Sequence, residues 1–176
     1  MLPPLTPDER LRYDRQIGPG VLTDAGQRRL KAATALVARA GGVGGPAALS
    51  LVLAGVGRVI IAHPGELESP DLNRQILGSE RGLGFPRASQ FAAHLRTMSS
   101  FVTIEEIDHE LNDDEADELA GRADVVLSCA ADFGRRLILN RAAHSARIPF
   151  IDAAQWGMTG SLVVSDGRTT PRAIAS

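Results

Sequence analysis

Glycines grouped in one short stretch are the first residues of this chain whose spacing points to chemistry. Gly41, Gly42 and Gly44 follow a short apolar run at 35–38 and lead into a run rich in alanine and leucine. A strand that passes through glycines into a helix directs free N–H groups and the positive end of the helix dipole at one point, where they can bind phosphate. The match to G-x-G-x-x-G is partial, because Arg39 stands where the first glycine belongs. The stretch predicts an anion site or, if the glycines serve only close packing, a plain β-α-β unit.

Strands and helices must alternate around these glycines to hold them in place. The predicted strands are 35–38, 58–62, 102–107, 123–129, 149–154 and 160–164, and the predicted helices are 46–56, 86–98, 113–120 and 135–147. This alternation predicts an α/β fold with a doubly wound, mainly parallel sheet and helices on both faces. We divide the chain into a helical lead-in at 1–33, a nucleotide-binding domain at 34–166 and a polar tail at 167–176, with a helix break at 18–20.

Composition limits the partners and the compartment. The chain has 176 residues and a formal net charge of −2, which argues against a nucleic-acid partner or an anionic membrane surface. Its one cysteine, Cys129, can form no internal disulfide and no cysteine zinc cluster, so we expect no zinc and interpret this residue as part of the core. The first residues lack a basic leader and no apolar run is long enough to span a bilayer, so we expect a cytoplasmic protein.

Motifs in a fixed order carry a resemblance to a known family. R-Y-D-R-Q-I at 12–17 precedes the first predicted strand, G-G-V-G at 41–44 follows it, and L-N-R-Q-I-L at 72–77 follows the second strand. S-C-A-A-D-F at 128–133 stands where the family usually has D-C-T-D-N-F. On these motifs the chain resembles the ThiF/MoeB/HesA family, whose Rossmann-like fold is shared by the ubiquitin-activating enzymes, over about residues 11–164.

The resemblance implies a reaction and a set of site residues. Such proteins bind MgATP and the C-terminus of a ubiquitin-like or sulfur-carrier protein, transfer AMP to its carboxylate and release pyrophosphate. The catalytic residues implied here are Arg15, Arg74 and Arg87, of which Arg15 would reach into the ATP site of a partner in a homodimer or heterodimer. The implied nucleotide-binding residues are Gly41, Gly42, Gly44, His63, Asn73, Arg74, Gln75, Arg87 and Asp132, and Asp132 is also the candidate ligand for Mg²⁺.

The chain departs from the family at several positions of that site. Arg39 replaces the first loop glycine, His63 the ribose-binding aspartate, Asp71 an asparagine, Arg87 a lysine and Ala131 the metal-binding aspartate. Arginine keeps the charge of lysine, and a neutral imidazole can still accept one hydrogen bond. Alanine, however, offers no oxygen to Mg²⁺. These changes predict that MgATP binds weakly or not at all to the isolated chain.

Three functions therefore remain open. The first is an adenylating activator of a carrier protein, and the second is a catalytically degenerate subunit that supports an active homologue in a dimer and donates Arg15. The third, an NAD-dependent oxidoreductase, lacks the acid expected at the end of the second strand. We also expect Trp156 to cap the core, and the helix face of Leu49, Val52 and Leu53 to extend towards a dimer interface.

Overall fold

A six-stranded sheet forms the centre of the fold in the computed structural model, which describes residues 1–18 and 22–167. The strands are β1 Thr34–Ala38, β2 Arg58–Ala62, β3 Thr103–Ile107, β4 Val125–Ser128, β5 Phe150–Trp156 and β6 Thr159–Ser165. Their spatial order is β3-β2-β1-β4-β5-β6, and β6 alone pairs antiparallel with its neighbour. The predicted mainly parallel α/β sheet is confirmed.

Helices cover both faces of this sheet. They are α1 Pro7–Arg12, α2 Asp14–Ile17, α3 Asp24–Ala32, α4 Gly44–Ala54, α5 Arg87–Met98, α6 Asp113–Gly121 and α7 Phe133–Ala146, with 3-10 turns at Ser69–Asp71 and Glu80–Gly82. Successive strand residues point to opposite faces, so Val37 packs in one core cluster with Val52 of α4 and Phe91 of α5. Its neighbour Leu36 packs in the other cluster, with Leu119 of α6 and with α7. The doubly wound arrangement follows from this alternation within β1.

The carboxyl ends of the central strands lie level with one another. Ala38 at the end of β1 pairs with Ala62 of β2 on one side and with Ser128 of β4 on the other. The chain leaves β1 towards β2 and returns on the opposite side at β4, which makes this the point where the strand order reverses. Ligands of open α/β sheets bind outside the strand ends at such a point.

The lead-in before β1 is fixed to the carboxyl end of α4. The side chains of Gln16 and Gln27 donate hydrogen bonds to the carbonyl of Ala54 at 3.0 and 2.9 Å. Tyr13 is buried against Gly55, where φ is +85° and a Cβ would lie 2.5 Å from the Tyr13 ring. Tyr13 and Gln16 of the R-Y-D-R-Q-I motif thus have packing roles in this chain.

Some expectations about the elements were wrong. Trp156 is 89% exposed at the end of β5, because the β5–β6 hairpin carries it beyond the helical layers. Val52 is fully buried in the core rather than part of an outer helix face, whereas Leu53 is exposed. The helix predicted at 135–147 begins two residues earlier, because Asp132 caps it. The predicted break at 18–20 and tail at 167–176 lie, apart from Gly18 and Gly167, outside the described residues.

None of the helices in the described part of the chain combines the length and the apolar character needed to cross a membrane.

Candidate functional site

A cavity of about 710 Å³ opens at the carboxyl ends of β1, β2 and β4. This volume lies within the usual range of small-molecule sites, about 300–1,000 Å³. Its lining brings together six residues predicted for the site, which are Gly41, Gly42, His63, Arg74, Gln75 and Arg87. Residues from four separate segments of the chain thus meet at the strand ends, where the fold places ligands.

The glycine turn keeps its tight shape although Arg39 occupies the first position. The N–H groups of Arg39 and Ala40 donate to the carbonyl of Ala62 at 2.7 and 3.3 Å, which holds the turn to β2. Arg39 has a left-handed φ of +68°, a conformation that costs a non-glycine residue about 1–2 kcal/mol. Gly44 begins α4, and a Cβ there would lie 2.5 Å from the Arg39 carbonyl. Gly44 therefore allows the tight turn but does not line the cavity.

Asp71 is the residue on which the polar side chains of the cavity converge. Its carboxylate accepts hydrogen bonds from Arg87 Nε and Nη2 at 2.9 and 2.6 Å, from Gln75 Nε2 at 2.5 Å and from Arg74 Nη2 at 3.3 Å. The backbone N–H of Glu68 donates to it as well, at 3.1 Å. These bonds fix the directions of the two arginines and the glutamine. Asp71 is thus a positioning residue for the predicted site.

The charge of Asp71 is maintained although its side chain is only 6% exposed. Burial on its own would raise the pKa of this carboxyl, but the hydrogen bond from Arg87, the Glu68 N–H and the charges of both arginines outweigh burial and hold the pKa below its usual value. The carboxylate is therefore ionised at neutral pH. It offsets one of the positive charges gathered around it.

His63 and Gln75 present hydrogen-bond acceptors beside the glycine turn. His63 Nδ1 lies 3.0 Å from the carbonyl of Pro64 and must donate to it, which leaves Nε2 with a lone pair. Burial above all, with the charges of Arg39, lowers the pKa of His63 to about 4, so the ring is neutral at pH 7. Gln75 Oε1 is buried without a hydrogen-bond partner in the described structure. A Cβ on Gly41 would lie 2.9 Å from His63 Nε2 and 3.7 Å from Gln75 Cδ, so both acceptors border the same turn.

Besides Gly44, three predicted site residues lie away from the cavity lining. Asn73 is exposed on the turn before Arg74, and its side chain makes no described hydrogen bond. Asp132 is the N-cap of α7, where its Oδ1 accepts the N–H of Arg135 at 3.0 Å. Arg15 is exposed on α2 and has no hydrogen bond or ion pair within the described ranges. Their assigned roles stay predictions.

Sequence reasoning missed two residues of the lining, Asp71 as a site residue and Gln155 of β5. The spacing of Asp71 to Arg74 and Gln75, three and four residues, was a local signal for side-chain contact. Gln155 gave no such signal. Cys129 is half-buried in the cavity wall instead of the core, and burial together with Asp152 raises its pKa to about 12, so its thiol is not ionised at neutral pH.

A second, much smaller cavity of about 10 Å³ adjoins the first. Arg39 lines both cavities, and its Nη1 lies 2.8 Å from Glu110 Oε2 in the loop between β3 and α6. Arg135 approaches the same carboxylate at 3.9 Å and lines only the smaller cavity. Among the described residues, Arg39 and Pro64 line both cavities, whereas Glu110 lines only the smaller one.

Comparison with known proteins assigns this arrangement to a family. A model of the ThiF family matches residues 13–173 of the sequence. The chain belongs to the ThiF family. The match contains the glycine turn, the Asp71 segment and Arg87, so it covers every segment that lines the larger cavity.

Relatives of this ThiF-family chain agree with the assignment. Protein HesA, vegetative, of Trichormus variabilis is 44% identical over 168 residues, which are 95% of this chain and 63% of that protein. Adenylyltransferase and sulfurtransferase MOCS3 of Anopheles gambiae is 34% identical over 95% of this chain and 38% of its own length. The crystal structure of PaaA shares the fold, with a TM-score of 0.83 at 21% identity over 93% of this chain and 53% of PaaA. The chain spans less than two thirds of each of these proteins.

Proposed function

We propose that this ThiF-family chain binds ATP in the larger cavity and takes part in adenylating the C-terminal carboxylate of a ubiquitin-like or sulfur-carrier protein. The observation that carries the proposal is the convergence of Arg74, Gln75 and Arg87 on Asp71 beside an open glycine turn. The name of the MOCS3 relative, an adenylyltransferase and sulfurtransferase, supports the same reaction class.

The residues of the cavity suit the two ends of a nucleoside triphosphate. The Gly41 N–H already donates to the Arg39 carbonyl at 2.7 Å, but the following N–H groups of the glycine turn and the amino end of α4 suit phosphate oxygens. Arg74 and Arg87 add fixed positive charge, which suits phosphate when the guanidinium direction is preset. His63 Nε2 is an acceptor without a proton of its own, so it can receive a hydrogen bond from a sugar hydroxyl.

Adenylation requires little covalent chemistry from the protein itself. A carboxylate oxygen of the carrier attacks the α-phosphorus, the bond from that phosphorus to the bridging oxygen of the β-phosphate breaks, and pyrophosphate leaves with the extra negative charge. The chain would contribute by positioning and by neutralising that charge in the transition state. We assign this role to Arg74 and Arg87, because hydrogen bonds to Asp71 fix their directions.

ATP–pyrophosphate exchange in the presence of carrier proteins that end in Gly-Gly tests the proposal. Replacing Arg74 by alanine should lower exchange by roughly a hundredfold, the scale of losing one preorganised electrostatic contact. Arg81, an exposed arginine in the turn Glu80–Gly82 that does not line the cavity, gives the matched control. Equal exchange by the Arg74→Ala and Arg81→Ala variants would contradict the proposed site.

A second candidate is a supporting subunit that donates Arg15 to an active homologue, in a homodimer or a heterodimer. Gln16, the next residue, is bound to the carboxyl end of α4 at Ala54, whereas the glycine turn lies at the amino end. The 11 residues of α4 separate these ends by about 16 Å at 1.5 Å per residue. Arg15 is therefore too far from its own cavity to act there. A catalytic role for it requires the site of another chain.

Hydride transfer with NAD has less support. Its usual ribose contact is an acid at the end of the second strand, and that place is held by the neutral His63.

A further inference from the structure

Magnesium does not fit the donor set of the larger cavity. Mg²⁺ binds through oxygen ligands, usually carboxylates together with phosphates and water. Ala131 lines the cavity where the family resemblance places the metal-binding aspartate, and the carboxylate of Asp132 is turned to the N–H of Arg135. Within residues 1–18 and 22–167, no group of three or more histidine, cysteine or acidic residues could hold a metal ion.

Asp71 cannot take over the metal's place. It is the single carboxylate among the described residues that line the cavity, and both of its oxygens already accept hydrogen bonds from Arg74, Gln75 or Arg87. A metal ion at Asp71 would have to displace the arginines that the site needs for phosphate. It would also sit directly beside their two positive charges, which costs energy in a partly buried place.

The cavity instead holds a third arginine that the family pattern does not have. Arg39 lines it together with Arg74 and Arg87, and the carboxylates against these three guanidinium groups are Asp71 and Glu110, the partner of Arg39. One net positive charge therefore remains while His63 is neutral. Arg39 lies close enough to His63 for its charge to contribute to the lowered pKa of that ring.

Arg39 adds this charge without closing the turn. Its left-handed backbone reproduces the conformation that glycine would adopt, and its guanidinium is held to one side by Glu110 at 2.8 Å. Gly41 and Gly42 therefore remain in the lining of the cavity, open to a phosphate. Arg39 keeps a third of its side chain exposed, so the guanidinium is accessible.

We propose that this cavity binds the polyphosphate of a nucleotide without a divalent cation, and that Arg39 supplies the charge that magnesium supplies elsewhere. The proposal rests on the proposed nucleotide site and adds its ion requirement. Free ATP carries more negative charge than MgATP, so a site with fixed positive charges and no metal ligand binds the free form at least as tightly.

Calorimetry on the full chain tests this with three probes: ATP in EDTA, ATP in excess Mg²⁺, and inorganic tripolyphosphate in EDTA. We expect the Kd of ATP to be equal or lower in EDTA, and tripolyphosphate to compete with ATP. Arg39→Gly suits the left-handed backbone and should stay folded by circular dichroism, yet weaken ATP binding in EDTA by about tenfold, the scale of 1.4 kcal/mol. Arg135→Ala removes the other arginine beside Glu110, which does not line the larger cavity, and should leave the Kd unchanged.

The outcomes separate the two proposals. Tighter ATP binding in Mg²⁺ than in EDTA, or an unchanged Kd in Arg39→Gly, overturns the role of Arg39 while the nucleotide site stands. Binding of ATP in neither condition overturns the nucleotide site and this inference together. If ATP binds in EDTA but no pyrophosphate exchange occurs with any carrier or partner subunit, only the adenylation proposal is overturned.

Discussion

The substitution Asp71→Ala removes the carboxylate that five hydrogen-bond contacts share in the cavity wall. It leaves the guanidinium of Arg87, which is 15% exposed, without its ionic partner apart from a distant Glu68 at 3.9 Å. Breaking one side of a buried ion pair costs about 3–5 kcal/mol, because the remaining charge stays desolvated. A domain of this size shifts its Tm by about 2–4 °C per kcal/mol, so we expect a loss of about 6–20 °C.

Urea denaturation at pH 7 and thermal melting measure this cost. Asp113→Ala is the matched control, because Asp113 pairs with Arg141 at 2.6 Å while both side chains are about half exposed. Exposed pairs contribute about 0–1 kcal/mol, so the control should shift the free energy of unfolding by no more than that. Removing Arg87 in the Asp71→Ala background should add little further loss, so the coupling energy between the two residues should be close to the loss that removal of Arg87 alone causes.

The acid dependence of this effect has a defined sign. The pKa of Asp71 is lowered in the folded chain, so its ionic contribution is complete above the ordinary aspartate pKa of about 3.9 and is lost as the pH falls through the folded value. The difference between wild type and Asp71→Ala should shrink below about pH 4. If Asp71→Ala lost no more stability than Asp113→Ala at pH 7, the description of Asp71 as the organising residue of the site would be wrong.

Three further predictions follow from other parts of the chain. The pKa of His63 is about 4 in the folded chain and ordinarily 6.5, so the unfolded chain binds more protons between these pH values. Through this group the free energy of unfolding should fall by about 3 kcal/mol from pH 7 to pH 4. In urea denaturation at a series of pH values, His63→Gln should lack this decrease. Arg15→Ala should change stability by about 0.5 kcal/mol or less but lower pyrophosphate exchange by an assembled dimer roughly a hundredfold, and equal rates would leave Arg15 without a role in trans. Gly55→Ala should lower the free energy of unfolding by about 1–3 kcal/mol, because of strain at positive φ and overlap with Tyr13. The Cβ of Gly121→Ala would meet no atom within 4 Å, so this variant should not be destabilised in thermal melting.

Alternation of apolar runs was enough to predict the sheet, because buried parallel strands and the helices between them leave strong periodic signals in a single sequence. The contacts that single polar residues make left no such signal. Asp132 could bind a metal or cap a helix, and it caps α7 because the free N–H of Arg135 lies three residues on. Trp156 looked like a core residue, yet its place depends on where the β5–β6 hairpin leaves the sheet.

The candidate site was predictable in its members but not in its organisation. Gly41, Arg74, Gln75 and Arg87 could be named from motifs, and the structure brings them to one cavity. The role of Asp71 depends on Arg87, which is 16 residues away and reaches it only after β2 and α5 have packed. Contacts of that kind are set by tertiary structure, and no spacing rule contains them.

The departures from the family pattern look different once their partners are known. On the family resemblance, Asp71 stands in place of an asparagine and Arg87 in place of a lysine. The two residues contact each other through two hydrogen bonds at 2.6 and 2.9 Å. A charged pair of opposite sign has replaced a cation and an amide, so the burial cost of each change is offset by the other. Arg39, which replaces a glycine, likewise has an acidic partner in Glu110. These charges are thus paired, and Gly41 and Gly42 still line an open cavity. That pattern favours a site adapted to bind its anion in another way over a site that has lost its ligand.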